Sequence, residues 1–205
     1  MLQIVQTNLK FTAPPIPRKK TTHIYLHHSA GETGDAYVFH RQHLGQGWRG
    51  IGYNYVILKN GTIQTGRPHN TIGSHSGPGN PYSIGICLVG NMNNHPPTDA
   101  QMQSLIELIR YLEGIYGNLT VDDHSDIMPT ACPGAQMPDD DYIDKIAEGG
   151  NSMVTGPIQP WETQHIQLAV QNGFLSQIHD PREPICYSEL AAILNNFYAK
   201  IAGGK

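Results

Sequence analysis

The sequence predicts an α/β fold: a mixed central β-sheet flanked by helices, followed by a small helical C-terminal module. Three observations carry this. Runs of β-branched and aromatic residues are bounded by turn residues, one almost continuously apolar run has strand length, and one long stretch repeats its apolar residues at helical spacing. Strands and helices mixed in this way settle as a sheet with helices packed across it. At 205 residues the chain suits one ordinary domain plus something small.

Residues 22–28, "THIYLHH", and 52–58, "GYNYVIL", read as strands. The second continues through "KNG", a tight turn carrying Asn60 and Gly61, into "TIQTG", which makes a hairpin. "SIGICLVG", Ser83 to Gly90, is apolar nearly throughout and reads as a central strand covered on both faces. Between Thr98 and Gly117, the positions Met102, Leu105, Ile106, Ile109, Leu112 and Ile115 mark a helix, opened by a Thr98/Gln101 capping box and closed by glycine. Shorter helices are expected from Ala36 to Leu44 and from Asp139 to Ile146, where "DDD" suits the positive end of the helix dipole.

The first domain therefore spans residues 1–146. Gly, Ser, Thr and Pro in residues 147–157 form a linker. Residues 158–205 hold two helices, one from Trp161 to Asn172 that stops at Gly173, and one from an N-cap Ser188 that buries Leu190, Ile193, Leu194, Phe197 and Ile201. A piece this small has a marginal core alone, so it is expected to dock on the first domain or to form a homodimer with a second copy.

Apolar residues make up 39% and charged residues 15%, the balance of a folded chain. A formal charge of -4 argues against nucleic acid as a main ligand, because phosphate binding needs clustered Lys and Arg. The one basic run, "PRKK" at Arg18 to Lys20, reads as a solvated strand entry. Three cysteines at irregular spacing fit reduced thiols or a metal ligand better than a disulfide framework. The N-terminus lacks the pattern of a signal peptide, and no run approaches the roughly 20 apolar residues of a membrane helix. Synthesis in the cytoplasm and no membrane insertion are expected; a substrate outside would require release by another agent.

The chemistry centres on "DDHSDIMPTACPG", where His124 and Cys132 stand eight positions apart, and on "IYLHHSAG" with His27 and His28. They supply three borderline ligands, the number a catalytic zinc uses when one position stays open for water. A hydrolytic zinc enzyme is the expectation. Pro129, Pro133 and Gly134 stiffen the backbone around the thiol, and Asp126 is placed to accept from a ligand imidazole. Alternation cannot choose between His27 and His28, because a central strand buries both faces. Cys87, inside the apolar strand, reads as a small buried hydrophobe, with no local histidine to make it a nucleophile. Trp48 reads as a packing residue, useful too if exposed beside a sugar-binding groove.

"IYLHHSAG", "GWRGIGYNYVILKNGTIQTGRP", "GSHSGPGNPYSIGICLVGN", "TDAQMQSLIELI" and "HSDIMPTACPG" together resemble, in order and spacing, the zinc-dependent N-acetylmuramoyl-L-alanine amidases, which include amidase-type phage lysozymes and peptidoglycan-recognition proteins. The resemblance covers about residues 22–140. It implies a peptidoglycan hydrolase, with one zinc on His27, His124 and Cys132, and leaves His28 as a packed core histidine. Tyr53 matches the family's catalytic tyrosine; Tyr55, two positions on, would otherwise have been nearly as good a choice. His75 of "GSHSG" matches a substrate-groove position, with an ordinary loop histidine as the alternative. Thr130 stands where phage lysozymes of the group often carry lysine, and offers a hydroxyl hydrogen bond weaker than a charged one.

The implied partner is peptidoglycan or a muropeptide, and a phage or prophage endolysin freed by a separate membrane-disrupting protein is the expected setting. Family members that lose the zinc cysteine recognise peptidoglycan without cutting it, and some phage amidases also regulate a polymerase; Cys132 is present here. The segment "WETQHIQLAVQNGFLSQIHDPREPICYSELAAILNNFY" resembles a single surface-layer-homology repeat, with Tyr187 and Ser188 replacing the usual arginine. That resemblance implies cell-wall attachment; a stabilising or dimerising appendage is the alternative.

Overall fold

The apolar run predicted to be a central strand lies at the middle of the sheet. The computed structural model describes residues 2–139 and Ile143, which fall in the first of two units, Met1–Gly150. Its strands are β1 (Ile4–Val5), β2 (His23–His28), β3 (Tyr55–Ile57), β4 (Ile63–Thr65), β5 (Ser83–Leu88) and β6 (Thr120–Asp123), and its helices α1 (Ala36–Gly45), α2 (Asp99–Tyr116) and α3 (His124–Ile127). The sheet order is β1-β4-β3-β5-β2-β6. Among the strands of the described residues, the predicted hairpin, β3 with β4, is antiparallel and the other pairs are parallel.

Alternation divides the core into two sides. Ile24 and Leu26 of β2, Tyr55 and Ile57 of β3 and Ile84, Ile86 and Leu88 of β5 pack in one cluster with Leu105, Leu108, Ile109 and Leu112 of α2. Val56, Cys87 and Val89 join Ala36 and Phe39 of α1 in the other. The register pairs His27 with Cys87, placing His27 on the α1 side and His28 on the α2 side.

Helix α2 begins with the predicted reciprocal Thr98/Gln101 capping box and ends at Gly117 with a positive φ of 82°, the left-handed region that glycine occupies without steric cost. Its apolar stripe is narrower than the sequence spacing suggests. Ile115 is 45% exposed, whereas Leu108 is fully buried; at about 100° per residue, Ile106 and Ile115 fall on opposite edges of a stripe centred on Leu105, Leu108, Ile109 and Leu112.

Arg18 departs from the solvated reading of "PRKK". Its guanidinium donates to the carbonyls of Thr71 (2.7 Å), Ser83 (2.9 Å) and His69, and its Nε to Thr21 (2.9 Å). One arginine thus ties the N-terminal segment to the loop before β5 and to the start of β5. β1, β6 and α3 had no clear sequence signal, being short and lacking an apolar period. Among the described residues no helix is long and apolar enough to cross a membrane. The predicted helix at 139–146, apart from buried Ile143, and the linker, C-terminal helices, surface-layer-homology segment and dimerising role lie outside the described residues.

Candidate metal centre and substrate cleft

Strand β2 delivers His27 to the C-terminal end of the sheet, and the β2–β6 register, which sets Leu26 opposite Asp123, brings His124 alongside it. The two rings lie 4.5 Å apart between centroids. Cys132 arrives from the loop after α3, with its Sγ 3.6 Å from His27 Nδ1. Ligand atoms of His27, His124 and Cys132 all lie within 4.8 Å of one another. His28 is turned away on the opposite face, where its Nδ1 accepts the Met92 N–H at 3.1 Å.

The thiol loop is held by glycine. Gly134 has φ 106°, and a Cβ there would come within 2.5 Å of the Met92 carbonyl carbon, so a side chain would push the loop off the 92–93 backbone. That contact is secured by the Gln136 N–H on the Met92 carbonyl at 2.6 Å. Asp126 has a different task from the one its position suggested: its carboxylate accepts the Asp123 N–H at 2.7 Å, capping α3. Both ring nitrogens of His124 are buried with no hydrogen-bond partner.

Burial lowers the pKa of His124 and, with the neighbouring His75, His124 and His28 adding to it, that of His27. His75 is pushed down to about 3 by burial, then by His124, Arg18 and Arg67. All three rings are therefore neutral at pH 7 and carry lone pairs. Burial also pushes the Cys132 thiol up to about 11, the His28 carbonyl side opposing and Asp123 reinforcing the rise. A bound cation reverses that direction, since a coordinating thiol is deprotonated outright. Two neutral imidazoles with one thiol, and a histidine with both nitrogens unsatisfied, are a donor set that fits Zn²⁺.

A cleft of about 460 Å³ opens over these residues, lined also by Tyr53, His75, Trp48, Asn93 and Thr130. The Tyr53 ring stands 5.2 Å from that of His27. Burial, then Cys87 and Cys132, hold the phenol well above its ordinary pKa, so it keeps its proton. Thr130 is exposed on the rim, where its Oγ1 accepts the Cys132 N–H at 3.2 Å and keeps its own proton for another acceptor. His75 lies deeper: its Nδ1 is 3.1 Å from His27 Nε2.

Two residues here escaped the sequence reading. Asn54 is fully buried; its Oδ1 accepts the Gly85 N–H at 2.9 Å and its Nδ2 donates to the Pro68 carbonyl at 3.2 Å, anchoring the chain beside Tyr53. An asparagine inside "GYNYVIL", in a run where asparagine is disfavoured, was the available signal. His43 accepts the Gly52 N–H at 3.0 Å and stacks on Trp48 at 4.5 Å and 23°, holding an indole that is 40% exposed. Trp48 and Ser74 form the wall shared with a second cleft of about 320 Å³ that reaches Arg49, Arg67 and Ile16.

Residues 17–135 match the family described as N-acetylmuramoyl-L-alanine amidase. The chain belongs to this family. The amidase is 37% identical to an endolysin of Klebsiella phage KP32 over 128 residues, 58% of this chain and 85% of that protein. It is 36% identical to an endolysin of Enterobacteria phage T3 over 129 residues, covering 59% and 85%. Among solved structures it resembles N-acetylmuramoyl-L-alanine amidase LysC from Clostridium intestinale, with a TM-score of 0.68 and 34% identity, over 73% of this chain and 99% of that one. The mixed six-stranded sheet with helices is thus the amidase fold, and the protein is a peptidoglycan amidase of endolysin type.

Proposed function

We propose that this amidase is a zinc-dependent phage endolysin that hydrolyses the amide between the lactyl group of N-acetylmuramic acid and L-alanine. The observation that carries the reading is the meeting of His27, His124 and Cys132 at the floor of a cleft walled by Tyr53. His27, His124 and Cys132 would hold one zinc, which when bound supplies Lewis acidity and lowers the pKa of water to about 7.

The chain's own residues then divide the work. Tyr53, kept protonated by burial and packed beside Phe39, His43 and His27, offers a preorganised O–H to the charge that develops on the substrate oxygen, the kind of donor worth about 10²- to 10³-fold in turnover. Thr130 offers a second hydroxyl from the rim. The Trp48 indole, braced by His43, presents an apolar face to a sugar ring or peptide. His75 lines the same cleft, as a substrate-contacting histidine would. The likeness to phage endolysins supports action on the cell wall after release by a separate membrane-disrupting protein. Residues 158–205, beyond a linker at 147–157, would attach the enzyme to wall polymer.

The test is incubation of metal-analysed protein with purified peptidoglycan, with and without chelator, followed by mass spectrometry. Stem peptides with a free L-alanine amino terminus, released only without chelator, are expected. Intact glycopeptide held by a zinc-loaded protein would instead mean a recognition protein on the same fold.

A further inference from the structure

His75 touches the candidate metal centre from behind, through His27. A neutral imidazole has one nitrogen that donates and one that accepts, and the two nitrogens of His27 face different neighbours: Nδ1 looks at Cys132 Sγ, 3.6 Å away, and Nε2 at His75 Nδ1, 3.1 Å away. We propose that His75 is a positioning residue for the zinc site, accepting the His27 Nε2–H so that the lone pair on His27 Nδ1 is held toward the metal. The proposal rests on the zinc reading. Metal-binding histidines commonly tie their second nitrogen to a carboxylate, a carbonyl or water; here a second imidazole fills that place.

The sheet itself fixes the His75 ring. It is 8% exposed and lies between two glycines: a Cβ at Gly73 would come 2.3 Å from its Cδ2, and a Cβ at Gly85, on β5, 2.5 Å from its Cγ. Asn80 Oδ1 takes the His75 N–H at 2.8 Å and the Ser76 N–H at 3.0 Å, fixing the backbone on which the ring stands. The His75 Nε2 is buried with no hydrogen-bond partner, while its Nδ1 faces His27 Nε2. An apolar side chain would fill the space without that orphaned nitrogen, whose unpaired burial is unfavourable. A ring retained for packing alone has no use for Nδ1 aimed at His27.

Zinc competition titrations on the full chain, comparing wild type with His75→Ala and His75→Asn, test this. The alanine variant is expected to bind zinc about 10- to 100-fold more weakly, whereas the asparagine variant, whose Oδ1 can stand in for Nδ1 as acceptor, stays near wild type. Unchanged zinc affinity in His75→Ala, with only KM for muropeptide raised, overturns the positioning role in favour of substrate contact; equal losses in both variants also overturn it. Long-range ¹H–¹⁵N spectra of zinc-loaded wild type need no variant to fold: a proton on His27 Nε2 supports the proposal, and a proton on His75 Nδ1 overturns it. Wild type that takes up no zinc brings down the zinc reading and this proposal together, while tight zinc binding in wild type and His75→Ala alike removes this proposal alone.

Discussion

Tyr53 and Tyr55, two positions apart, stand on opposite sides of the sheet. Tyr55 is the first residue of β3 and is buried in the cluster under α2, whereas Tyr53 lies just before the strand and packs beside Phe39, His43 and His27. Regular alternation puts i and i+2 on one face, so the separation depends on the bend ahead of β3. Asn54 makes it tenable by pairing both ways with Gly85 through its backbone N–H and its side-chain oxygen.

From this follows a test of the proposed catalytic hydroxyl. Tyr53→Phe is expected to lower kcat by about 10²-fold with little change in KM, while Tyr55→Phe leaves turnover intact. Steady-state kinetics on a soluble muropeptide decide it. Unchanged turnover in Tyr53→Phe would transfer the role to Thr130.

Cys132→Ser should abolish hydrolysis and zinc retention while muropeptide binding, measured by calorimetry, largely persists. A serine hydroxyl does not ionise in the way that makes a thiolate a ligand. Loss of binding and hydrolysis in equal measure would show that Cys132 supports the cleft as a whole.

The sequence exposed most of this site because its chemistry is carried by rare residue types in ordered blocks. His124, Cys132 and the His27/His28 pair were visible from spacing, and the helix of α2 from its capping box and period. What it could not resolve depended on tertiary register. The choice between His27 and His28 follows here from the pairing of His27 with Cys87, a property of two strands far apart in the chain. Arg18 looked like part of a solvated basic run because its three carbonyl partners, on His69, Thr71 and Ser83, come from distant segments. Asp126 lay near a ligand in sequence, yet the local need to cap α3 claimed it.

Acid should weaken the metal-free protein in a defined direction. His75 is held near 3 and His27 and His124 below their ordinary values, so below the unfolded value of about 6.5 the unfolded chain binds more protons than the native one. Stability is therefore full above about pH 6.5 and is lost as pH falls from there toward about 3. Denaturant titrations of chelated protein at several pH values should show this decline, shallower in His75→Asn. A wild-type profile that stays flat from neutral pH down to about pH 4.5 would rule out a buried neutral histidine at position 75.

Asn54 allows fold and catalysis to be separated. Asn54→Ala removes the acceptor for the buried Gly85 N–H and one donor to the Pro68 carbonyl, which still accepts from the Thr71 N–H and hydroxyl. Leaving the buried Gly85 N–H unpaired costs about 1–3 kcal/mol, which thermal melts would register as a fall of several degrees in Tm. Asn54→Asp keeps an oxygen for Gly85 but loses the amide that donates to Pro68, and it introduces a buried charge. If the Gly85 bond is what sets Tyr53 in place, the aspartate variant loses stability yet keeps more of its turnover than the alanine variant when both are assayed well below their melting points. The reverse ranking would mean that the Pro68 bond, not the sheet contact, positions the tyrosine.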